Sequence, residues 1–186
     1  MILIAIGANL SNVQFKRPRA ACGAALEHLN KTKGITIKNR SHWYRTAPVP
    51  VSDQPWYVNA VIEIECTIPP LNLMQVLLDT EQQLGRIRST ANAPRIIDLD
   101  LLSYENKVMQ CDQTADHPAL SVPHPRMHER AFVLFPLSDI NRQWAHPITH
   151  KTVEKMIAEL SPGQQTERMS DAAGVFGTEW HAANTD

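Results

Sequence analysis

The sequence predicts an α+β fold of the ferredoxin-like kind: a β-α-β-β-α-β core with an antiparallel sheet and additional C-terminal helices. Three observations carry this. The run Ile2-Leu3-Ile4-Ala5-Ile6 is apolar without alternation, as in a central strand covered on both faces. Two stretches with helical apolar spacing open on proline, at Pro18 and at Pro69-Pro70. Strand-like segments stand between and after them in the order that this unit requires.

Taken in order, the first strand ends at Gly7-Ala8-Asn9-Leu10-Ser11-Asn12, a loop of turn formers. The first helix buries Cys22, Ala25, Leu26 and Leu29 at spacings of three, four and seven. Lys33-Gly34 turns the chain into a second strand, predicted over Ile35 to Arg45. The stretch from Thr46 to Pro55 carries three prolines, too long for a hairpin turn and too stiff for a linker, and reads as a binding loop. The third strand, Trp56 to Cys66, sets Val58, Ala60, Ile62 and Ile64 on one face and Tyr57, Asn59, Val61, Glu63 and Glu65 on the other.

The second helix runs to about Leu84, with Leu71, Met74, Leu77, Leu78 and Leu84 inward. Glu81 interrupts that stripe, so its carboxylate stands at a rim, is paired, or meets a ligand. Gly85 suits a left-handed cap. The loop Arg86 to Arg95 then feeds three arginines (Arg86, Arg88, Arg95) towards the strand Ile96-Ile97-Asp98-Leu99-Asp100-Leu101-Leu102. Beyond this core, Lys107-Val108-Met109 suggests a short strand. A helix is predicted from Arg126 to about Phe135, closed by Pro136, and a last one from Lys151 to Leu160. Residues 1–160 read as one domain, and 161–186 as a poorly ordered polar tail, apart from a docking of Phe176 or Trp180.

Composition narrows the function classes. With 43% hydrophobic and 20% charged residues and a net charge of −1, the chain lacks the basic excess of a general nucleic-acid binder. Cys22, Cys66 and Cys111 have no metal-type spacing and are odd in number, which fits a reducing compartment. Met1 opens directly into a strand, and no apolar run approaches membrane-spanning length, so a cytoplasmic protein without a membrane partner is expected.

The chemistry concentrates on Asp98 and Asp100. At i and i+2 in a strand they share one face, where two like charges resist ionising unless a cation joins them. A bare Asp-x-Asp is usually a water-facing edge. Here Arg86, Arg88, Arg95 and Arg130 stand ready to bind phosphate oxygens, and no glycine-rich phosphate loop is present, so a Mg²⁺–nucleotide site is the better reading. His124 and His128 have helix-face spacing but lack the Glu of a zinc hydrolase; His124 reads as a phosphate donor at a helix start. Tyr57 and Asn59 share a strand face, and with Phe132 could hold a planar heterocycle.

Four blocks in order then resemble the 6-hydroxymethyl-7,8-dihydropterin pyrophosphokinases: Tyr44-Arg45-Thr46…Pro48…Asp53-Gln54-Pro55…Tyr57…Asn59-Ala60, Gly85-Arg86-Ile87-Arg88, Pro94-Arg95-Ile96-Ile97-Asp98-Leu99-Asp100, and Val122-Pro123-His124-Pro125-Arg126-Met127-His128-Glu129-Arg130-Ala131-Phe132. The similarity runs from Ile4 to about Ile140. It implies transfer of pyrophosphate from ATP to the pterin alcohol, giving AMP, in folate synthesis. It further implies two Mg²⁺ ions on Asp98 and Asp100, with Arg86, Arg88 and Arg95 in a mobile catalytic loop. Glu81, Leu101, Ser121, His124 and Arg130 fall where the family contacts ATP. Gly7, Thr46, Val49, Tyr57, Asn59 and Phe132 fall at the pterin. Departures are Asn92-Ala93, where many members carry Trp-Gly, and Ala47 in place of a frequent proline. A Mg²⁺-dependent phosphohydrolase and an RNA-recognition domain are the rivals; the latter expects aromatic and basic sheet motifs that the central strands lack. A monomer is expected, and no general base is identified.

Overall fold

The apolar run at the start of the chain becomes the centre of the sheet. The computed structural model describes residues 1–87 and 93–181. In chain order its elements are β1 (Ile2–Ala8), α1 (Pro18–Lys31), β2 (Ile35–Arg40), β3 (Tyr44–Thr46), β4 (Tyr57–Cys66), α2 (Pro70–Gln83) and β5 (Asp98–Tyr104). They continue with β6 (Met109–Cys111), β7 (Leu120–Val122), α3 (Ala131–Asn141), α4 (Val153–Ala158) and β8 (Thr166–Arg168). The fold is mixed α/β. The main sheet runs β5-β1-β4-β3-β8, with β2 also on β4, and every pairing is antiparallel.

Because side chains alternate along a strand, each sheet face collects its own core. Ile4 and Ile6 of β1, Ala60 and Ile62 of β4, and Leu99 and Leu101 of β5 pack with Cys22, Leu26 and Leu29 of α1 and Leu73 and Leu77 of α2. The opposite face presents Leu3, Val61 and Leu102 to Val133, Leu134 and Leu137 of α3 and to Val153 and Met156 of α4. Each fully buried aliphatic side chain contributes roughly 1.5–3 kcal/mol. This second face is apolar only at one end. Further along the same three strands its residues are Gly7, Asn59, Asp98 and Asp100, with Gly7 opposite both Asn59 and Asp98. Helix α3 leaves that end uncovered, and the site lies there.

Three sequence expectations differ from what forms. The second strand, predicted as Ile35 to Arg45, divides into β2 and β3. Arg40 pairs with Ile62 and Tyr44 with Asn59, so three residues of this side span two of β4. Ser41 keeps the register with its N–H on the Val61 carbonyl, so the extra residue falls within His42-Trp43, as at a β-bulge, beside the fully buried Trp43 whose indole N–H meets the Phe176 carbonyl. The helix predicted to close at Pro136 instead contains it. A short 3₁₀ turn covers Met127–Glu129, the chain is extended at Arg130, and α3 starts at Ala131. An interior proline costs about 3 kcal/mol, which burial of Val133, Leu134 and Leu137 offsets.

Third, the tail is expected to be poorly ordered apart from a docking of Phe176 or Trp180; both of these residues make contacts, and residues 161–181 further carry β8 and several anchors. Arg19 donates through Nε and Nη2 to the two Glu179 oxygens at 3.0 and 2.7 Å, and through Nη1 to the Ser170 carbonyl at 2.7 Å. Trp180 meets the Phe15 ring edge-on at 5.6 Å. Gly23 lets this segment approach α1, since a Cβ there would meet Thr178 Oγ1 at 2.1 Å. Residues 182–186 lie outside the described residues.

Candidate active site

The polar end of the sheet face floors a cavity of about 540 Å³, walled by the loop Thr46–Gln54 on one side and by His124–Phe132 on the other. Gly7 is at the centre of this floor. The Asn59 amide lies across it, and a Cβ at Gly7 would stand 2.8 Å from Asn59 Oδ1. Asn59 is buried and donates through Nδ2 to Thr46 Oγ1 at 2.7 Å, which fixes the amide's orientation. The Tyr57 hydroxyl donates to Gln54 Oε1 at 3.2 Å. This end offers directed polar groups beside aromatic surface.

The other end is ionic. Asp98 accepts from Arg86 Nη1 and, at 2.9 Å, from Arg95 Nη1. Arg86 also bonds Glu81, whose Oε1 accepts from the Leu99 backbone N–H at 2.7 Å. Buried behind β5, Glu81 is paired in the fold and anchors Arg86. Asp100 stands 3.5 Å from Arg130 Nη1 and 3.9 Å from His124 Nε2. Burial and then the Asp98 charge push the Asp100 carboxyl up to about 6, against the pull of Arg130, Arg86 and Arg95.

His124 Nδ1 accepts from the Arg126 backbone N–H at 3.2 Å, so in the neutral ring Nε2 carries the proton and faces Asp100. Burial, followed by the Arg130 and Arg126 charges, lowers its pKa to about 4. At neutral pH it is therefore an uncharged donor. Among the described residues no group of three or more His, Cys, Asp or Glu side chains could enclose a metal. A two-carboxylate set suits Mg²⁺, which keeps waters and substrate phosphates as its remaining ligands.

Of the residues expected at the site, Gly7, Thr46, Val49, Tyr57, Asn59, Arg86, Arg95, Asp98, Asp100, His124, Arg130 and Phe132 line this one cavity. Glu81 borders a second cavity of about 530 Å³, on the other side of Arg86, with Gln75, Leu78, Gln82 and the segment Gln113–Pro118. Leu101 and Ser121 border neither: Leu101 is in the core and Ser121 is half-buried in β7. Arg88 lies outside the described residues.

One organising residue escaped sequence reasoning. Buried Asn9 accepts from the Arg95 N–H at 2.8 Å and donates to the Pro55 carbonyl at 3.0 Å, while its own N–H reaches the Arg95 carbonyl. It ties the end of β1 to both loops around the cavity. Its only signal was a polar residue directly after a central strand.

A face that sets ring-recognising groups beside a carboxylate pair and arginines is suited to a polyphosphate and a planar acceptor together. Comparison with known proteins agrees. The chain matches the 7,8-dihydro-6-hydroxymethylpterin-pyrophosphokinase (HPPK) family over residues 3–142. A 2-amino-4-hydroxy-6-hydroxymethyldihydropteridine pyrophosphokinase of Methylorubrum extorquens is 40% identical over 143 residues, covering 77% of this chain and 85% of the relative. One from Synechocystis is 34% identical over 155 residues, covering 83% and 71%. The folic acid synthesis protein fol1 of Schizosaccharomyces pombe is 36% identical over 136 residues, 73% of this chain, which spans only 18% of that protein. In structure, the chain is similar to Plasmodium falciparum HPPK-DHPS with pteroate, at a TM-score of 0.67 and 12% identity, covering 85% of this chain and 44% of that one. The chain belongs to the HPPK family.

Proposed function

We propose that this protein transfers the pyrophosphoryl group of ATP to the hydroxyl of 6-hydroxymethyl-7,8-dihydropterin, releasing AMP, as a step of folate synthesis. One observation carries the reading: Asn59, Thr46 and Tyr57 share a single cavity with Asp98, Asp100, Arg86 and Arg95. A pterin seated at the first end would present its alcohol beside the second.

Asn59 and Thr46 would read the ring edge, with Tyr57, Phe132 and Val49 against its faces and Gly7 beneath. Asp98 and Asp100 would hold Mg²⁺, two ions per site as the family resemblance implies, whose charge neutralises the phosphates. Arg86 and Arg95, which neutralise Asp98 here, would then turn to the polyphosphate together with Arg130 and the Nε2–H of His124. Arg88 takes the same role on the resemblance alone. The second cavity, reached past Arg86, has room for the nucleoside of ATP. The pterin oxygen forms a bond to the β-phosphorus, the bond from that phosphorus to the bridging oxygen of AMP breaks, and the hydroxyl proton passes to water.

The sheet order, with β1 between β5 and β4 and with β2 beyond β4, supports reading the core as ferredoxin-like, with α3 and α4 as additions. We take the whole chain as one monomeric domain whose tail belongs to it. Incubation with Mg²⁺ and ATP, with and without the pterin alcohol, tests the function. AMP and pterin diphosphate should appear together, only when both substrates are present. Inorganic phosphate released without pterin would instead select a phosphohydrolase.

A further inference from the structure

Arg130 and Phe132 enter the cavity from a stretch whose backbone is extended at Arg130 (φ −110°, ψ 110°) before α3 begins. The first N–H groups of a helix have no partner within it, and the Arg130 side chain caps none of them. The partner comes from the tail. Gln164 Oε1 accepts from the Ala131 N–H at 2.9 Å, and Gln164 Nε2 donates to the Glu129 carbonyl at 2.9 Å. One carboxamide thus makes the pair of bonds that a neighbouring strand would make to an extended residue, and it brackets Arg130 from both sides.

The next residues fasten the opposite wall. The Gln165 carbonyl accepts from the Ala47 N–H at 3.2 Å, and Thr166 pairs with Thr46 across β8 and β3. Residues 164–166 therefore span from the loop that carries Thr46 and Val49 to the stretch that carries Arg130 and Phe132. The Arg130 guanidinium is 3.5 Å from Asp100 and stacks 5.3 Å over the Phe132 ring, so the backbone torsions at residue 130 aim both side chains. Gln164 lies beyond the family match of residues 3–142.

We propose that Gln164 is a positioning residue of the reaction: its carboxamide fixes the Arg130 backbone and thereby aims Arg130 at Asp100 and Phe132 into the ring end of the cavity. This rests on the function proposed above. A small displacement of a group that acts on the transition state is expensive in rate. Gln164 is only half-buried, so its replacement spares the core.

The experiment compares the full-length wild type with Gln164→Leu, which loses both bonds, and with Gln164→Glu, which keeps the acceptor and loses the donor. Gln164→Leu should lower kcat about tenfold and raise the pterin KM, while the ATP KM stays within about twofold. Its unfolding midpoint should stay within about 3 °C of wild type. Gln164→Glu should fall between the two. On an Arg130→Ala background, Gln164→Leu should cost less than about twofold in kcat, since residues acting through one another are not additive. An unchanged kcat in both single variants would overturn the proposal, and so would the same tenfold loss on the Arg130→Ala background, which marks a general structural effect. Absence of AMP formation by the wild type would overturn the function itself, and this inference with it.

Discussion

At the residue scale, charge and close approach decide the site. Asp100 is held in the fold with its pKa pushed up to about 6, by burial and then by Asp98. A carboxyl raised in the folded state binds more protons there than in the unfolded chain, so stability falls as pH rises from about 4 through 6. Asp100→Asn should therefore raise the unfolding midpoint of the metal-free protein at pH 7.5 and leave it near wild type at pH 4.5. In a chain of this size each kcal/mol corresponds to about 2–4 °C. A variant less stable than wild type at pH 7.5 would show that the Arg130 contact outweighs the repulsion. Gly7 makes the complementary case. A methyl group at 2.8 Å from Asn59 Oδ1 must turn the amide, so Gly7→Ala should weaken pterin binding at least about tenfold, or 1.4 kcal/mol, with little change for ATP. Calorimetric titration of each ligand separates the two, and equal losses would point to damage in the sheet.

At the element scale, two of the loops around the cavity are tied to the end of β1. Asn9 joins the Arg95 backbone on one side and the Pro55 carbonyl on the other. Asn9→Ala takes the side-chain partner from the Arg95 N–H and the Pro55 carbonyl, at roughly 0.5–1.5 kcal/mol for each bond. It should also lower kcat, because Arg95 is no longer held against Asp98. Arg95→Ala removes the guanidinium alone. It should lower kcat far more than it raises either KM, the pattern of a contact made mainly in the transition state. If steady-state kinetics instead gave a raised ATP KM with an unaltered kcat, Arg95 would be a ground-state binding group.

At the scale of the whole molecule, the tail completes the sheet and holds the far side of α1. Arg19 carries three bonds into it, two to Glu179 and one to Ser170. Arg19→Ala removes all three bonds and leaves Glu179 the longer contact to Arg17 at 3.6 Å, so it should lower the unfolding midpoint by several degrees, at about 2–4 °C per kcal/mol. Since β8 pairs with β3, and β3 carries Thr46, the pterin KM should rise as well. A scan showing lower stability with wild-type kinetics would detach the tail from the site.

What the sequence alone determined is whatever follows from local period. The unalternating β1, the alternating β4, and Asp98 and Asp100 on one face with Leu99 and Leu101 on the other are legible because side-chain direction repeats every two residues along a strand. The motif blocks are legible for a related reason, being short and contiguous. Partners distant in the chain were decided only by the tertiary structure. Gln164 meets Glu129 from 35 residues away and Arg19 meets Glu179 from 160; no spacing encodes either. Glu81 stands in an apolar stripe in either view, and only the arrival of Arg86 and the Leu99 N–H decides that it is paired. The extra residue within His42-Trp43 and the proline inside α3 are settled the same way, because packing against a distant surface outweighs the local preference that sequence can read.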